Sequence, residues 1–224
     1  MTGGLEQTVS ILKELTRPTD QTGWMCDEVA FLLYALVKFQ RPQLVIQTGH
    51  HWGKSAAVVC EALSDGFLDG GQLIESDPMR GDAKFTAYLQ AHAPARGPWR
   101  MVSVDPGPPV ADSDAGVRYL TERYRGCFQF VQAKSADFFL SAMWEELVAG
   151  AGGCRALAVV DGDHAEDVAR ADLEAVDRLR PLIFLDDTSW APHLAEVAAA
   201  FAAERKYATI ELPLYNGVTV LMPS

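Results

Sequence analysis

Positive charge is in short supply in this chain. Lysine and arginine number 19 against 30 aspartates and glutamates, a formal net charge of −11. That deficit argues against a nucleic-acid partner, because backbone binders carry a basic patch or stripe. The excess of negative charge reads as a solubility device. Cysteine is scarce too. Cys26, Cys60, Cys127 and Cys154 are widely spaced and lack the pairing of a metal knuckle. They read as thiols kept in a reducing compartment, so a cytoplasmic location is expected. Long apolar runs are missing. The longest, Val29 to Val37, is too short to cross a bilayer, and Met1 to Gln7 does not have the basic-then-apolar pattern of a secretory leader. No membrane partner is expected. Internal repeats and low-complexity linkers are absent as well.

The remainder is ordinary for a folded domain. With 224 residues, 49% of them hydrophobic, the chain is long enough to bury one sizeable core. Gly3 to Thr16 and Cys26 to Phe39 have helical character. In the second, Val29, Leu32, Leu33, Leu36 and Val37 recur at helical spacing, and Asp27 and Glu28 suit its positive N-terminal end. Residues 1–40 are read as N-terminal helices that form a lid or a dimer surface, and residues 41–224 as the main domain.

After Pro42, short apolar runs alternate with helical patterns. The strand candidates are Leu44 to Ile46, Leu73-Ile74, Met101 to Val104, Phe128 to Val131, Ala156 to Val160 and Leu182 to Leu185. Helical patterns fall at Ser55 to Leu63, Gly116 to Arg125, Phe138 to Val148, Glu166 to Leu179 and His193 to Glu204. Tyr207 to Leu212 and Gly217 to Leu221 close the chain as two strands joined at Tyr215-Asn216. Apolar strands alternating with helices imply an α/β fold, a mostly parallel sheet covered on both faces. The last two strands must pair antiparallel, because so short a turn cannot make a crossover. In such a sheet, ligands bind beyond the carboxyl ends of the strands. The residues that follow each apolar run are therefore the ones to read for chemistry.

Two such places stand out. The first is Gln47-Thr48-Gly49-His50-His51-Trp52-Gly53-Lys54-Ser55, a strand, a tight turn and a helix start. Gly49 permits a backbone conformation that residues with a Cβ resist, and the helix start favours polar or negative ligand groups. Gly53-Lys54-Ser55 resembles the end of a P-loop, but that motif needs a glycine where Thr48 stands. The segment suits a nucleotide-like cofactor; the plainer alternative is an ordinary glycine-bearing turn.

The second place is Asp161-Gly162-Asp163-His164 after one strand and Asp186-Asp187 after the next. The segment between is one crossover helix long, so the strands should be neighbours. Up to four carboxylates would then converge, and unpaired they would repel and resist burial. A hard divalent cation resolves that conflict, with magnesium the natural choice and Asp161, Asp186 and Asp187 as its ligands. The alternative is helix capping, for which Asp163 and Asp187 are the best placed. His164 could orient a ligand, act as a base, or simply lie at the surface.

With both places in hand, the chain resembles class I S-adenosylmethionine-dependent methyltransferases. Within them it is most similar to the metal-dependent small-molecule O-methyltransferases and the related cephalosporin-hydroxylase-like group. The resemblance runs from about Gly23 to the C-terminus and rests most on Val-Val-Asp161-Gly162-Asp163-His164 followed by Leu185-Asp186-Asp187-Thr188. It implies a Rossmann-like, seven-stranded, mostly parallel sheet with helices on both faces and a C-terminal antiparallel hairpin. It also implies the cofactor S-adenosylmethionine, lying against Gln47, Gly49, Gly53, Ser55 and Asp161. Gly49 and Gly53 match the family's glycine turn, whereas Gln47 stands where the family has an acid. The family's ribose-binding acid has two candidates, Asp77 and Asp105, with Asp105 slightly favoured, and one of the two chain intervals is then an insertion. Ser135 matches a position near the adenine. The metal set implied is Asp161, Asp186 and Asp187, holding Mg2+ or another hard divalent cation.

The expected activity is methyl transfer to a hydroxyl of a small molecule. The metal would lower the pKa of the acceptor oxygen, and Asp161, with Asp163 or His164 taking the proton, would form the catalytic set. Trp52, Trp190 and Tyr215 are candidates for the acceptor pocket. Two alternatives stay open: a binding protein derived from a methyltransferase, suggested by Gln47 and the bulky His50-His51-Trp52, and a different, hydroxylase-like reaction at the same metal. A homo-oligomer built on the N-terminal helices is a further possibility.

Overall fold

The computed structural model describes residues 25–51, 53–64, 99–107 and 113–224. Gly3 to Thr16, Trp52, the strand candidate Leu73-Ile74 and Asp77 lie outside them. In chain order, the elements are α1 (Asp27–Gln40), β1 (Leu44–Thr48), α2 (Lys54–Ser64), β2 (Arg100–Asp105), α3 (Ser113–Arg123), β3 (Phe128–Gln132), α4 (Ser135–Phe139), α5 (Ala142–Gly150), β4 (Ala156–Val160), α6 (Glu166–Val176), β5 (Leu182–Leu185), α7 (Pro192–Arg205), β6 (Tyr207–Leu212) and β7 (Val218–Pro223). A 3-10 turn, Asp177–Leu179, extends α6.

The strands form one seven-stranded sheet in the order β3-β2-β1-β4-β5-β7-β6. β1 to β5 pair parallel. β7 runs antiparallel between β5 and β6, as the short terminal turn requires. Successive strand residues point to opposite faces, and two cores result. Val45, Met101, Leu157, Val159 and Phe184 face a core shared with α1, α2 and α3, to which α1 contributes Val29, Ala30, Leu33 and Val37. Ile46, Val102, Val104, Ala158 and Leu185 face the other core, with Phe138, Trp144, Leu173 and Phe201 from the later helices. Central strands buried on both sides read as unbroken apolar runs because they have no solvent face.

The pairing register decides where the site lies. Thr48 is level with Val104 on one side and Val160 on the other, and Val160 is level with Leu185. The next residues in the chain are Gly49, Asp105, Asp161 and Asp186. They therefore form one line along the carboxyl edge, centred where the order reverses between β1 and β4.

One open choice about the elements is answered and one expectation changes. The strand beside β1 is Arg100–Asp105, so the insertion falls between α2 and β2. The single helix expected over Phe138 to Val148 is two helices, broken at Leu140-Ser141. The break comes from Ser141, whose hydroxyl accepts a hydrogen bond from the Trp144 amide (3.2 Å) and caps α5. Apolar spacing alone runs straight through that cap.

Candidate active site

The glycine turn after β1 is built from inside the sheet. Gly49 has φ +82°, and a Cβ there would come within 1.8 Å of the Asp161 carbonyl oxygen. Its amide donates to the Val104 carbonyl (2.9 Å), while the Asp161 amide donates to the Thr48 carbonyl (3.0 Å). A glycine is thus required because the tips of β1 and β4 touch backbone to backbone.

Gln47 is completely buried beneath this turn. Its side-chain NH2 donates to the Gly49 carbonyl and to the Ser55 hydroxyl (2.8 Å). Gly49 O can only accept, which fixes the amide's orientation. The Gln47 Oε1 atom is left buried without a hydrogen-bond partner. Gln47 and Ser55, both expected at the cofactor, are therefore bonded to each other. One Gln47 acceptor remains for a bound donor.

Asp105 clamps the far side of the turn. Its Oδ2 accepts from the amides of His50 (2.8 Å) and His51 (3.2 Å), and its Oδ1 accepts from that of Gly107 (2.9 Å). His50 is buried between Phe128 and Phe130, with its Nδ1 2.9 Å from the Ser103 hydroxyl. Burial lowers its pKa to about 4, so the ring is neutral at pH 7. Lys54, the residue of the rejected P-loop, reaches the opposite way. Its Nζ donates to the Met25 carbonyl (2.6 Å) and to Asp27 Oδ1 (3.1 Å), tying the start of α1 to the start of α2.

The tips of β4 and β5 are different in kind. Oxygens of Asp161 and Asp187 and a ring nitrogen of His164 all lie within 4.8 Å of one another. His164 Nε2 stands 3.0 Å from Asp187 Oδ2. Burial, then the charges of Asp186 and Asp187, raises the Asp161 pKa well above the carboxylate range. Burial and the Asp187 charge raise that of Asp186 to about 7. The close Asp187 carboxylate raises the His164 pKa, since it favours the protonated ring. Asp186 stands apart from the three-residue cluster. It is 2% exposed, and its Oδ1 accepts the Asp187 amide (2.9 Å). Asp187 itself adopts φ +61°, a left-handed conformation that aspartate tolerates better than most residues.

Asp163 is exposed, and its Oδ1 accepts the Ala165 amide (3.0 Å) in a local turn before α6; Ala165 is the N-cap of that helix and no side chain caps it, so Asp163 does not take the capping role weighed for it. Ser135 opens α4, beyond the tip of β3. Trp190 is 70% exposed and packs edge-on against His164, with ring centres 5.1 Å apart. Tyr215 is exposed in the hairpin turn. The amides of Ser189 and Trp190 both donate to the Asn216 carbonyl, which joins that turn to the loop after β5.

Three residues have roles that the sequence reading did not assign. Lys54 and His50 are internal supports of the turn. Asp172 of α6 is 2% exposed; burial raises its pKa, and the nearby hydroxyls of Ser135 and Thr48 oppose that rise. Its position offered a signal: Ala169, Asp172, Leu173 and Val176 form the buried stripe of α6, and an aspartate on that stripe is out of place.

Residues 46–188 match the family described as a methyltransferase domain. No curated protein matches the chain. A methyltransferase from Podospora anserina, solved with S-adenosylhomocysteine, aligns at a TM-score of 0.60 and 13% identity, over 99% of this chain and 88% of that one. An O-methyltransferase from Bacillus cereus in complex with S-adenosylhomocysteine aligns at 0.56 and 13%, over 98% and 90%. An O-methyltransferase of tomaymycin synthesis from Streptomyces achromogenes, in complex with S-adenosylmethionine, aligns at 0.55 and 11%, over 97% and 90%. At these identities the likeness is one of fold. No helix among the described residues is long and apolar enough to cross a membrane.

Proposed function

Because the chain belongs to the methyltransferase-domain family, we propose that it transfers a methyl group from S-adenosylmethionine to a hydroxyl of a small molecule, with a divalent cation at the tips of β4 and β5. One observation carries this reading: the contact of Gly49 with the Asp161 backbone. It makes a glycine turn suited to the cofactor share an edge with the acidic tips suited to the acceptor.

The residues present fit both groups. For the cofactor, the buried Gln47 Oε1 lacks a donor, and the ammonium of an amino-acid end would supply one. For the cation, carboxylates whose proton affinity is raised by burial and then by mutual repulsion form a donor set that positive charge relieves. Asp161 and Asp187 would hold it, and Asp186 behind them adds negative charge. Such a cation lowers the pKa of a bound hydroxyl. The protein's own part is positional. The turn Gly49 to Gly53, clamped by Asp105, holds the methyl donor, and the exposed Trp190 face borders the acceptor. We assign the adenine side to the region of Ser135 and Asp172, beyond the β3 tip.

The test is calorimetry with S-adenosylmethionine and S-adenosylhomocysteine, followed by product mass spectrometry on a panel of hydroxylated acceptors with and without chelator. Binding of the cofactor and a methyl mass gain that chelator abolishes are expected. A gain of oxygen instead of methyl would point to the hydroxylase-like reaction. A second reading has one observation in its favour: Gln47 replaces the family's acid and is turned inward onto Gly49 and Ser55. A binding protein on this fold would give no cofactor heat and no product.

A further inference from the structure

Crowded carboxylates call for a cation, but the cluster at the β4 and β5 tips contains a donor that carboxylate crowding does not. Besides one oxygen each from Asp161 and Asp187 it brings in a ring nitrogen of His164, all within 4.8 Å. Asp186, the carboxylate that completes an all-oxygen set in the sequence pattern, is packed behind, with Oδ1 bonded to the Asp187 amide. We propose that His164 is a ligand of this site, making one nitrogen and two carboxylate oxygens, and that the site therefore selects a first-row transition-metal ion over magnesium. The inference rests on the reading that the strand tips bind a divalent cation.

The geometry supports ligation. Donors held about 2.1 Å from a cation and at right angles to each other stand about 3.0 Å apart. His164 Nε2 and Asp187 Oδ2 are separated by 3.0 Å. One contact bears on the imidazole and one on the backbone that carries it. The Trp190 ring packs against it edge-on, and His193 Nε2 meets the His164 carbonyl oxygen at 2.6 Å. A donor whose direction is set by its surroundings loses little freedom on binding, which is how supporting residues raise metal affinity. Three protein donors leave further positions for water or two acceptor oxygens.

The donor chemistry then discriminates between ions. Magnesium takes oxygen ligands and gives up its water reluctantly. Imidazole nitrogen suits iron, cobalt, nickel and zinc, and affinity along the first row rises from manganese to copper. Exchanging one carboxylate oxygen for one imidazole nitrogen gains little for magnesium and much for cobalt. It also lowers the negative charge of the ligand set, which weakens the purely electrostatic attraction that magnesium depends on.

The experiment uses the full chain, with Co2+ and Mg2+ as separate probes in calorimetry. Co2+ should bind at least about tenfold more tightly than Mg2+. His164→Ala should lower Co2+ affinity about tenfold or more and change Mg2+ affinity by less than about twofold, and Asp161→Asn should weaken both. In proton NMR, the Co2+-loaded protein should display a hyperfine-shifted, D2O-exchangeable imidazole N–H signal that is absent in Asp161→Asn. That readout needs no histidine variant to fold. Equal loss of both ions in His164→Ala, or Co2+ binding without the shifted signal, would overturn the assignment of His164 while leaving a carboxylate-held cation in place. Binding of neither ion would overturn the cation reading and this inference with it.

Discussion

The turn after β1 and the tips of β4 and β5 lie side by side on one edge of the sheet, yet they satisfy their polar groups in opposite ways. In the turn, the charged groups are paired within the protein, and what stays unpartnered is neutral: Gln47 Oε1, Thr48 Oγ1 and His50 Nε2. Gln47 bonds Gly49 and Ser55, Asp105 takes the His50 and His51 amides, and Lys54 reaches Met25 and Asp27. At the tips, Asp161 and Asp187 meet with Asp186 close behind them, and His164 is the one partner of opposite charge assigned to them among the described residues. The first region owes its shape to its own hydrogen bonds. The second holds charge that its own side chains do not balance. A ligand meeting the first finds a formed surface, and a cation meeting the second lowers its energy.

The sharpest way to break that contrast is to disturb the contact between the two regions. Gly49→Ala puts a methyl where the Asp161 carbonyl already sits, at a φ that alanine resists. Overpacking and backbone strain together should cost about 2–4 kcal/mol of stability, read as a lower urea midpoint. Cofactor binding should fall with it. An unchanged midpoint would mean the two tips separate freely and the shared edge is not rigid.

Next in size is the removal of charge from the tips. Asp161→Asn should reduce cation-dependent turnover by about 100-fold or more. It should also make the cation-free protein more stable, because it relieves repulsion. The pH dependence has the same origin. A buried carboxyl whose folded pKa is raised holds its proton in the native state while the unfolded chain has already lost it. Folded protein then binds more protons than unfolded, and stability falls as pH rises. For Asp186 the window runs from its ordinary 3.8 to about 7. The cation-free protein should lose stability across that range, and a divalent cation should raise the melting temperature most at and above pH 7. A thermal-shift series with and without cation checks this, and a flat profile in both conditions would deny the crowding.

How far these regions could be read from the chain differs for a physical reason. The acids after β4 and β5 were legible because buried parallel strands are short apolar runs, and an abrupt carboxylate after one is conspicuous. The terminal hairpin followed from the length of its turn. Which of the two acids after β5 turns toward the cluster was not legible. Adjacent residues point apart, and the choice is made by the left-handed backbone at Asp187. Likewise, Leu73-Ile74 and Met101 to Val104 carry the same local signal, an apolar run soon followed by aspartate. Only pairing with β1, a long-range contact, identifies Met101 to Val104 as part of the strand beside it. Asp172 was overlooked because sequence spacing reveals a polar residue on a buried stripe but not that the hydroxyls of Ser135 and Thr48 lie near it.

On the side of the turn, Gln47 sharpens the comparison with a result opposite to what the family pattern suggests. Restoring the acid, Gln47→Glu, should weaken the protein and not improve it. A carboxylate cannot donate to the Gly49 carbonyl, and it would be buried against that oxygen and the Ser55 hydroxyl. The expected loss is about 2 kcal/mol, from an unmade hydrogen bond and a buried charge. Gln47→Ala should lose less in stability, since it removes the group without adding charge. Tighter S-adenosylmethionine binding in Gln47→Glu without loss of stability would show that the contact to the cofactor, and not the inward hydrogen bonds, decides which residue suits this position.

The smallest effect is expected where the turn meets solvent. Lys54 is buried, its side chain 8% exposed, while its carboxylate partner Asp27 is 80% exposed. An ion pair so open to water contributes little, so Asp27→Asn should change stability by less than about 0.5 kcal/mol. Lys54→Met keeps the apolar stem but abandons the Met25 carbonyl as well, and should cost about 1 kcal/mol. The difference between the two variants isolates the backbone bond that ties the start of α1 to the turn. If Asp27→Asn proves as damaging as Lys54→Met, the exposed carboxylate and not the Met25 carbonyl is what anchors that helix.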